Sequence, residues 1–598
     1  MVRQAPPLPA NLPAILPSGM EAAAPREARP LYPRLLLGLA LGLGLLCYAQ
    51  VWRFNFVYDD NFQILDNAKI QSWSHVRGYF TSHLWANAGS FDRATSYYRP
   101  LFLLWLRLNY ALFGLKAAYW HASSLALHLL AVWLAYLAAL RLLALAEWDE
   151  GPRRATAAVA TLIFAVHPAH VEPVAWLSAA SELLLAIFLL LAFIAYAESR
   201  RPGKRLWILV SVASFALALL AKETAVMFVP LVLACELARR AEERGLVPRL
   251  GQALASSLPW AGAAVVYLLV RRAALGSLGH TQMSVGTAVA LKTLPQLLWF
   301  YARHLLWPSP LAEFYDVFYV SSIRAREFVV PVLAAGIVIA ALAAWARRSR
   351  AALIASLWVL LPLVPVLDVS LLRFNALAAD RYLYVSSFGF CVLAAALLVR
   401  LAQVPRLRSC SLALVLIPVA VMGAATARQA KPWENELLLY EHAVRVAPRN
   451  ALAKTSLATQ LIVRGENERA LGLLLESYAI DPGAWTTSFN LGYLEFMLGD
   501  LPEAERFFQH AIELDSHNLN QFLFLGLTQK RMGDFAGASA TLQKTAEIWP
   551  QAPLVHLSLG EALEQRGLYD QARREYEMEL SGKNPKVARS ALARLASR

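Results

Sequence analysis

The chain has 598 residues, of which 58% are hydrophobic and 16% are charged, and its formal net charge is +14. Soluble globular chains average about 25% charged residues, so this deficit excludes an ordinary soluble protein and indicates many membrane spans. The positive charge does not indicate nucleic acid as a partner. The Arg and Lys residues lie in short loops between apolar runs, and no basic-aromatic nucleic-acid motif occurs.

The first membrane segment follows a tail rich in Pro and Ala. Residues 1–32 lack an apolar core, and we expect them to be disordered. The apolar run at 35–52 can cross a bilayer and lacks a small-residue cleavage signature, which favours an uncleaved first helix. Asp59 and Asp60 follow it side by side. Taken alone, these acids are better explained as solvated loop residues or a helix cap than as a functional site.

Further apolar segments alternate with loops, which predicts about eleven spans in all. The segments lie at 119–143, 155–167, 174–197, 206–221, 224–238, 254–271, 328–345, 352–367, 382–400 and 409–426. Basic loops fall on one side, which the positive-inside rule assigns to the cytoplasm. This topology requires that 99–114 and 287–306 do not span. The first is short with Arg107 at its centre, which favours an interfacial or short core helix.

After Trp433 the sequence repeats every 34 residues. Small residues recur in three series: Ala458, Gly492, Gly526 and Gly560; Gly465, Gly499, Gly533 and Gly567; Ala470, Ala504, Ala538 and Ala572. This period is typical of tetratricopeptide (TPR) repeats, whose small residues let paired helices approach closely. The predicted fold is all-α: a polytopic membrane helix bundle at 33–427, then a C-terminal TPR α-solenoid at 428–598 that begins with an orphan helix. The loop charges place the solenoid outside the cytoplasm.

Polar clusters share the predicted outer side with the two acids. They comprise Arg99; His167, His170 and Glu172; Glu182; Lys222 and Glu223; and Asp380 with Arg381. Two His and a Glu could bind a divalent metal, but prolines break the helix there, so a structural role is at least as well supported. The adjacent Lys and Glu could satisfy each other. Each Arg could clamp a lipid phosphate or extend to headgroups.

Together, the clusters favour a site for an anionic lipid-linked substrate. Acids would activate an acceptor, and cations would hold a phosphate. Phosphatases, flippases and transporters use similar residues in membranes, so the residues alone leave these functions open.

Five motifs in this order resemble those of the transmembrane and tetratricopeptide repeat-containing O-mannosyltransferases. They are Phe-Val-Tyr-Asp-Asp at 56–60, Tyr-Arg-Pro-Leu at 98–101, His-Pro-Ala-His-Val-Glu at 167–172, Lys-Glu at 222–223 and Asp-Arg-Tyr-Leu-Tyr at 380–384. A membrane half followed by a repeat half is similar to the same family. The resemblance covers nearly the whole chain after residue 33.

The resemblance implies a GT-C fold and a membrane glycosyltransferase that uses a polyprenyl-phosphate sugar, with mannose as one candidate, on the extracytoplasmic face. It implies Asp59 as the catalytic base, assisted by Asp60. By the same resemblance Arg381, Lys222 and Arg99 would bind the donor phosphate. The remaining residues would support the site: His167, His170, Glu172, Glu182, Glu223 and Asp380.

Some positions depart from the family pattern. Asp380 stands where a Glu is expected, and Ser178-Ala-Ala-Ser181-Glu182 replaces a pattern with an additional Arg. The repeat array is short, and the Ala-, Leu- and Arg-rich composition favours a bacterial homologue. These departures leave the sugar and the acceptor open.

The first hypothesis is therefore an integral-membrane glycosyltransferase whose repeats bind a protein or peptide acceptor and whose partners include membrane lipids. The donor would be a lipid-linked sugar; no other cofactor is assigned, and the need for a divalent metal is left open. The alternative is a membrane-anchored TPR scaffold without catalysis. A lipid-linked-sugar transporter ranks last, because the helices show no internal symmetry.

Overall fold

The computed structural model describes residues 33–86, 97–239, 245–276, 285–368 and 376–597, and these ranges contain helices and no strand. The expected all-α bundle followed by a repeat solenoid is confirmed. The tail predicted to be disordered, residues 1–32, lies outside the described residues.

The first half of the chain forms the membrane bundle. Its helices are α1 (Pro33–Cys47), α2 (Val76–Tyr79), α3 (Pro100–Phe113), α4 (Ala117–Leu145), α5 (Glu150–Val166), α6 (Val171–Ala175), α7 (Ser181–Ser199), α8 (Trp207–Ala221), α9 (Phe228–Arg239), α10 (Leu246–Leu275), α11 (Thr287–Leu306), α12 (Arg326–Ala346), α13 (Arg350–Leu360), α14 (Leu383–Gln403) and α15 (Ser411–Ala430).

Eight segments of the described residues are long and apolar enough to cross a membrane, or nine if α5 and the bent segment after it form one span. The two remaining predicted spans, 206–221 and 224–238, correspond to α8 and α9, which have only 15 and 12 residues. A straight span needs about 20 residues, so the prediction exceeds the number of full-length spans by these two. The chain leaves the helix at Lys222, where the sequence also separates these two apolar segments. Neither α3 nor α11 is among the full-length spans, as expected.

The helix ends form two separate polar layers. In the basic layer, ion pairs connect helices that are distant in the sequence: Arg141 with Glu198 at 2.5 Å, Arg200 with Glu236 at 2.9 Å and Arg350 with Glu147 at 3.1 Å. These residues lie at the C-terminal ends of α4, α7 and α9 and the N-terminal ends of α5 and α13. Residues of the predicted site lie at or beside the opposite ends of α5, α7 and α9. This alternation agrees with the predicted direction of each segment.

The second half forms the solenoid. Its helices are α16 (Glu436–Val446), α17 (Ala451–Val463), α18 (Asn467–Ile480), α19 (Trp485–Leu498), α20 (Leu501–Leu514), α21 (Leu519–Met532), α22 (Phe535–Ile548), α23 (Val555–Gln565), α24 (Tyr569–Glu579) and α25 (Pro585–Ala596).

The periodic small residues act as predicted. A Cβ at Gly492 would lie 2.9 Å from the Phe508 ring, and one at Gly526 would lie 2.6 Å from Leu542. Each pair joins the first and second helix of one repeat, so any larger side chain would separate the two helices. The orphan second helix predicted before the repeats is α16, which packs against α17.

Candidate active site

The polar residues of the predicted site lie on segments that follow or precede the helices at one end of the bundle. We define the acid loop as residues 54–66, after α1, and the Glu313 segment as residues 308–320, after α11. The other contributors are the bend between α5 and α7, the turn Glu223–Met227 after α8, and the turn Asp380–Tyr382 before α14.

Asp60 anchors the acid loop in the bundle. Its side chain is fully buried, and one carboxylate oxygen accepts hydrogen bonds from the Ser178 N–H at 2.8 Å and the Ser178 hydroxyl at 2.5 Å. The other oxygen accepts from the Val57 N–H at 3.3 Å. Burial raises the pKa of Asp60 to about 7, although these hydrogen bonds favour the ionised form. The structure thus gives Asp60 an anchoring role, and its part in catalysis stays a prediction.

Tyr58 fixes the direction of the neighbouring Asp59. Its φ of +56° lies in the left-handed region, which a bulky residue adopts only when its surroundings impose it. The Tyr58 ring contacts the rings of Trp176, Phe314 and Tyr440, with centroids 5.4, 5.9 and 6.4 Å away. Asp59 itself is half-buried. Its carboxylate is therefore presented from a conformationally restrained turn.

Arg381 lies among carboxylates. It forms a charge-assisted pair with Glu172, which also accepts from the Arg381 backbone N–H at 2.8 Å. The Glu313 carboxylate lies 3.8 Å from the same guanidinium. Asp380 accepts a hydrogen bond from the Tyr315 hydroxyl, two residues beyond Glu313. The Glu313 segment therefore closes one side of the Arg381 pocket.

Glu313 connects this pocket electrostatically to Asp59. Burial raises the pKa of Glu313 well above its usual range, and repulsion from Glu172 and Asp59 adds to the effect, whereas Arg381 opposes it. Burial therefore favours the protonated form of the Glu313 carboxyl group, whereas Arg381 favours the ionised form. Asp59 and Arg381 thus act on the same buried carboxyl group.

Lys222 and Glu223 do not satisfy each other, contrary to one sequence-based interpretation. Lys222 forms a buried ion pair with Glu182 on α7, whereas Glu223 accepts two hydrogen bonds from Arg99, at 2.9 and 3.3 Å. Burial lowers the pKa of Lys222, an effect that Glu182 opposes. Burial alone would raise the pKa of Glu223, but Arg99 and Lys222 hold it at about 2. The extended backbone at Lys222 points these adjacent residues at different partners.

The Tyr382 ring brings two of the predicted phosphate-binding cations together. The Lys222 ammonium lies 4.7 Å from the ring centroid, and the Arg381 guanidinium lies 5.0 Å from it. Cation–π contacts of this kind let two like charges share a site. The structure thus places both cations at one aromatic platform.

The histidines have structural partners. His167 Nε2 contacts the Leu305 carbonyl at 3.1 Å, and His170 Nε2 contacts the Ser387 hydroxyl at 2.7 Å; both rings are fully buried. In the described part of the chain, no three His, Cys, Asp or Glu residues form a group that could hold a metal ion. These contacts support the structural interpretation of the histidines, which join the bend after α5 to α11 and α14.

An apolar groove lies between α11, α12, α13 and α14. It has a volume of about 300 Å³ and no polar lining; its wall includes Leu305, Ala335, Leu363 and Phe390. Leu305 is the residue whose carbonyl contacts His167, and the Phe390 ring lies 5.7 Å from the His167 ring. The groove therefore begins beside the bend that carries Glu172.

Sequence reasoning missed Glu313 and Glu436. Neither belongs to one of the five motifs, and Glu313 lies in a loop after a helix that does not span. Glu436 lies at the start of α16, where it accepts hydrogen bonds from the acid loop. The only sequence signal was general: both are acids on the predicted outer side of a protein whose acids cluster there.

The repeats and most of the chain are similar in sequence to known proteins. A family profile described as tetratricopeptide repeat matches residues 455–518 and 525–595. Protein O-mannosyl-transferase TMTC1 of Homo sapiens is 25% identical over 523 residues, which cover 78% of this chain and 58% of that protein. TMTC3 of Mus musculus is 26% identical over 78% of this chain and 53% of its own length.

The chain is a homologue of the TMTC proteins. The resemblance of the five motifs and the repeats to this family is confirmed, whereas a bacterial origin stays a prediction. The chain spans between 53% and 58% of the first TMTC relatives that it matches.

Solved structures give weaker likenesses. ArnT from Cupriavidus metallidurans bound to undecaprenyl phosphate is 16% identical, with a TM-score of 0.36, and the match covers 90% of this chain and 88% of that one. The TPR protein YrrB is 19% identical, with a TM-score of 0.25 over 26% of this chain and 82% of its own.

Proposed function

We propose that this TMTC homologue is a membrane glycosyltransferase that transfers a sugar from a polyprenyl-phosphate carrier to a protein or peptide hydroxyl on the extracytoplasmic face. The observation that carries the proposal is the position of the buried Glu313 carboxyl group, which lies 3.8 Å from the Arg381 guanidinium and close enough to Asp59 to be repelled by it. A base and a cation in one partly dry site match the charges that develop in such a transfer.

In the proposed reaction, Asp59 accepts the proton of the acceptor hydroxyl. The hydroxyl oxygen forms a bond to the anomeric carbon as the bond from that carbon to the phosphate oxygen breaks, with inversion. The polyprenyl phosphate leaves as an anion, so no general acid is required. Arg381 and Lys222, held at the Tyr382 ring, stabilise the leaving charge.

The protonated form of Glu313, which burial favours, would support anion binding beside Arg381. With Glu172, Glu313 and Asp380 all ionised, three carboxylates would surround one guanidinium and repel a phosphate. A proton on Glu313 reduces that excess negative charge. Its position beside Asp59 also makes Glu313 part of the surroundings that set the strength of the base.

The apolar groove suits the carrier lipid. Its lining is entirely hydrocarbon and aromatic, and it begins near the bend that holds Glu172. A polyprenyl chain in the groove would keep its phosphate close to the polar pocket. Because the TMTC relatives are named as protein O-mannosyl-transferases, we propose mannose as the sugar and the TPR solenoid as the acceptor-binding part.

The experiment that tests the proposal uses labelled polyprenyl-phosphate sugars and a short peptide with Ser and Thr residues. Asp59→Asn should abolish transfer while the purified protein remains folded. Asp66→Asn, an exposed acid at the end of the same loop, is the matched control and should retain transfer. Undiminished transfer by Asp59→Asn removes Asp59 from the mechanism. Absence of transfer by the unmodified protein with every sugar tested favours the scaffold alternative.

A further inference from the structure

The link between the bundle and the solenoid is packed against the acid loop. The Trp433 ring stacks on the Trp176 ring at 5.8 Å, and the Glu434 carbonyl accepts a hydrogen bond from the Asn55 N–H at 3.0 Å. Tyr440 on α16 contacts the Tyr58 ring, as described above. The solenoid therefore begins as part of the wall of the candidate active site.

Glu436 joins this wall to the first repeat. One carboxylate oxygen accepts hydrogen bonds from the Tyr58 N–H at 3.1 Å and from the Asn61 side chain at 2.7 Å. The other oxygen accepts from the Gln460 side chain on α17 at 2.6 Å. The two oxygens of one side chain thus contact the two sides of Asp59 and a helix of the solenoid.

These contacts help to hold the strained backbone conformation of Tyr58. The left-handed conformation of Tyr58 has an energetic cost, so it persists only if neighbouring groups hold it. Of those groups, α16 supplies both the acceptor for the Tyr58 N–H and the Tyr440 ring. Without them, Tyr58 could relax, and Asp59, the next residue, would change direction.

The first repeat also holds the Glu313 segment. The Asn450 side chain donates to the Tyr315 carbonyl at 3.2 Å, and the Arg449 N–H donates to the Asp316 carboxylate at 3.2 Å. His442 on α16 contacts the Leu311 carbonyl at 2.8 Å. The acid loop is thus attached to α16, and the Glu313 segment is attached to α16 and to the residues that precede α17.

We propose that Glu436 is a positioning residue that connects the first TPR repeat to the acid loop, so that the repeat sets the orientation of Asp59. The inference deepens the proposed function and rests on it for its catalytic part. It makes the solenoid a component of the reaction site as well as a surface for the acceptor. The effect on turnover should therefore extend to acceptors too short to occupy the solenoid.

The test compares Glu436→Ala, Glu436→Gln and Gln460→Ala in the full chain reconstituted into lipid nanodiscs. Gln509→Ala is the matched control, because the exposed side chain of Gln509 donates its hydrogen bond to Glu505 on the same helix, α20. Two readouts are used: hydrogen–deuterium exchange of residues 54–66, and kcat and KM for transfer to a short peptide.

Glu436→Ala should raise amide exchange at Tyr58 about tenfold or more, because a hydrogen bond to a charged acceptor is lost. It should lower kcat with little change in the KM of the donor. Glu436→Gln keeps a carbonyl acceptor and should restore most of both. Gln460→Ala should produce a smaller change of the same kind, and Gln509→Ala should produce none.

Unchanged exchange at Tyr58 in Glu436→Ala overturns the inference, as does a response to Glu436→Ala without any response to Gln460→Ala. Raised exchange with an unchanged kcat overturns the positioning role. The exchange readout does not depend on catalysis. If the unmodified protein shows no transfer, the proposed function fails while the exchange data still decide whether the repeat holds the acid loop.

Discussion

The protonation of Asp60 in the acid loop makes the stability of the folded protein depend on pH. Burial raises its pKa from the usual value of about 3.9 to about 7. The folded protein thus binds this proton more tightly than the unfolded chain does. The stabilisation is fully present below pH about 4 and is lost as the pH rises through about 7.

Asp60→Asn should remove this pH dependence. The neutral amide has no proton to release, so the melting temperature of the unmodified protein should fall relative to that of the variant between pH 5 and pH 8. Thermal unfolding in detergent over this range measures the difference. Asp66→Asn serves as the control and should keep the original slope, whereas parallel curves for Asp60→Asn and the unmodified protein would contradict the assignment.

Lys222 has a structural role as well as a proposed role in donor binding, and variants can separate them. Lys222→Met leaves the buried Glu182 without its partner, which should cost about 3–5 kcal/mol of stability. Combining it with Glu182→Leu replaces the pair by apolar groups and should restore thermal stability.

Neither variant should recover transfer, since the cation near Tyr382 is absent from both. Melting temperature and transfer rate, measured on the same preparations, give the comparison. Full transfer by the stable double variant would show that Lys222 is needed only for folding.

At the scale of elements, the walls of the apolar groove offer a test of the carrier lipid. Ala335 is buried on α12 and lines the groove, whereas Ala340 on the same helix is exposed and is not part of its lining. Ala335→Trp should fill the groove and raise the KM for a long polyprenyl donor about tenfold, since about 1.4 kcal/mol of binding free energy corresponds to a factor of ten.

Ala340→Trp is the matched control and should leave that KM unchanged. A donor with a ten-carbon chain should be affected less than a long donor by Ala335→Trp, because it occupies less of the groove. Equal effects of the two Trp variants on both donors would place the lipid elsewhere.

The sequence predicted the elements well where a periodic or continuous pattern existed. The 34-residue spacing predicted helix pairs whose small residues face large partners, as Gly492 faces Phe508. Continuous apolar runs predicted most spans, because hydrophobicity is a local property. The partner of Lys222 at the break between two such runs is not a local property, since the buried Glu182 lies 40 residues away.

The site was predictable only in part for the same reason. The residues within each motif are adjacent in the sequence. The alternating direction of the predicted spans was therefore enough to place the motifs on one side of the membrane. The partners that complete the site lie outside the motifs: Glu313 reaches Arg381 through a loop, and Glu436 reaches Tyr58 across 378 residues. Such contacts depend on the packing of α11 and α16, which no residue pattern specifies.

At the scale of the whole molecule, topology determines whether the proposed function can operate. The solenoid and the candidate active site lie at the same end of the bundle, and the basic layer lies at the other. Among the four cysteines, Cys410 is exposed and the others are buried. Cys410 lies between α14 and α15, with the basic loops.

Labelling with a membrane-impermeant maleimide should therefore distinguish the two ends. In intact cells Cys410 should remain unlabelled until the membrane is permeabilised. An introduced Ser581→Cys, exposed in the turn after α24, should be labelled without permeabilisation. The reverse pattern would place the solenoid in the cytoplasm and exclude the proposed extracytoplasmic reaction.

The shortness of α8 and α9 has a consequence for the lipid around the protein. At 15 residues, α8 is about 22 Å long, against a hydrocarbon thickness of about 30 Å. If α8 and α9 both cross the membrane, we expect the bilayer to dip beside them, which would draw headgroups and water toward Lys222. A carrier phosphate arriving from that dip would travel a shorter vertical path, and bilayers of shorter acyl chains would incur less deformation in surrounding the protein.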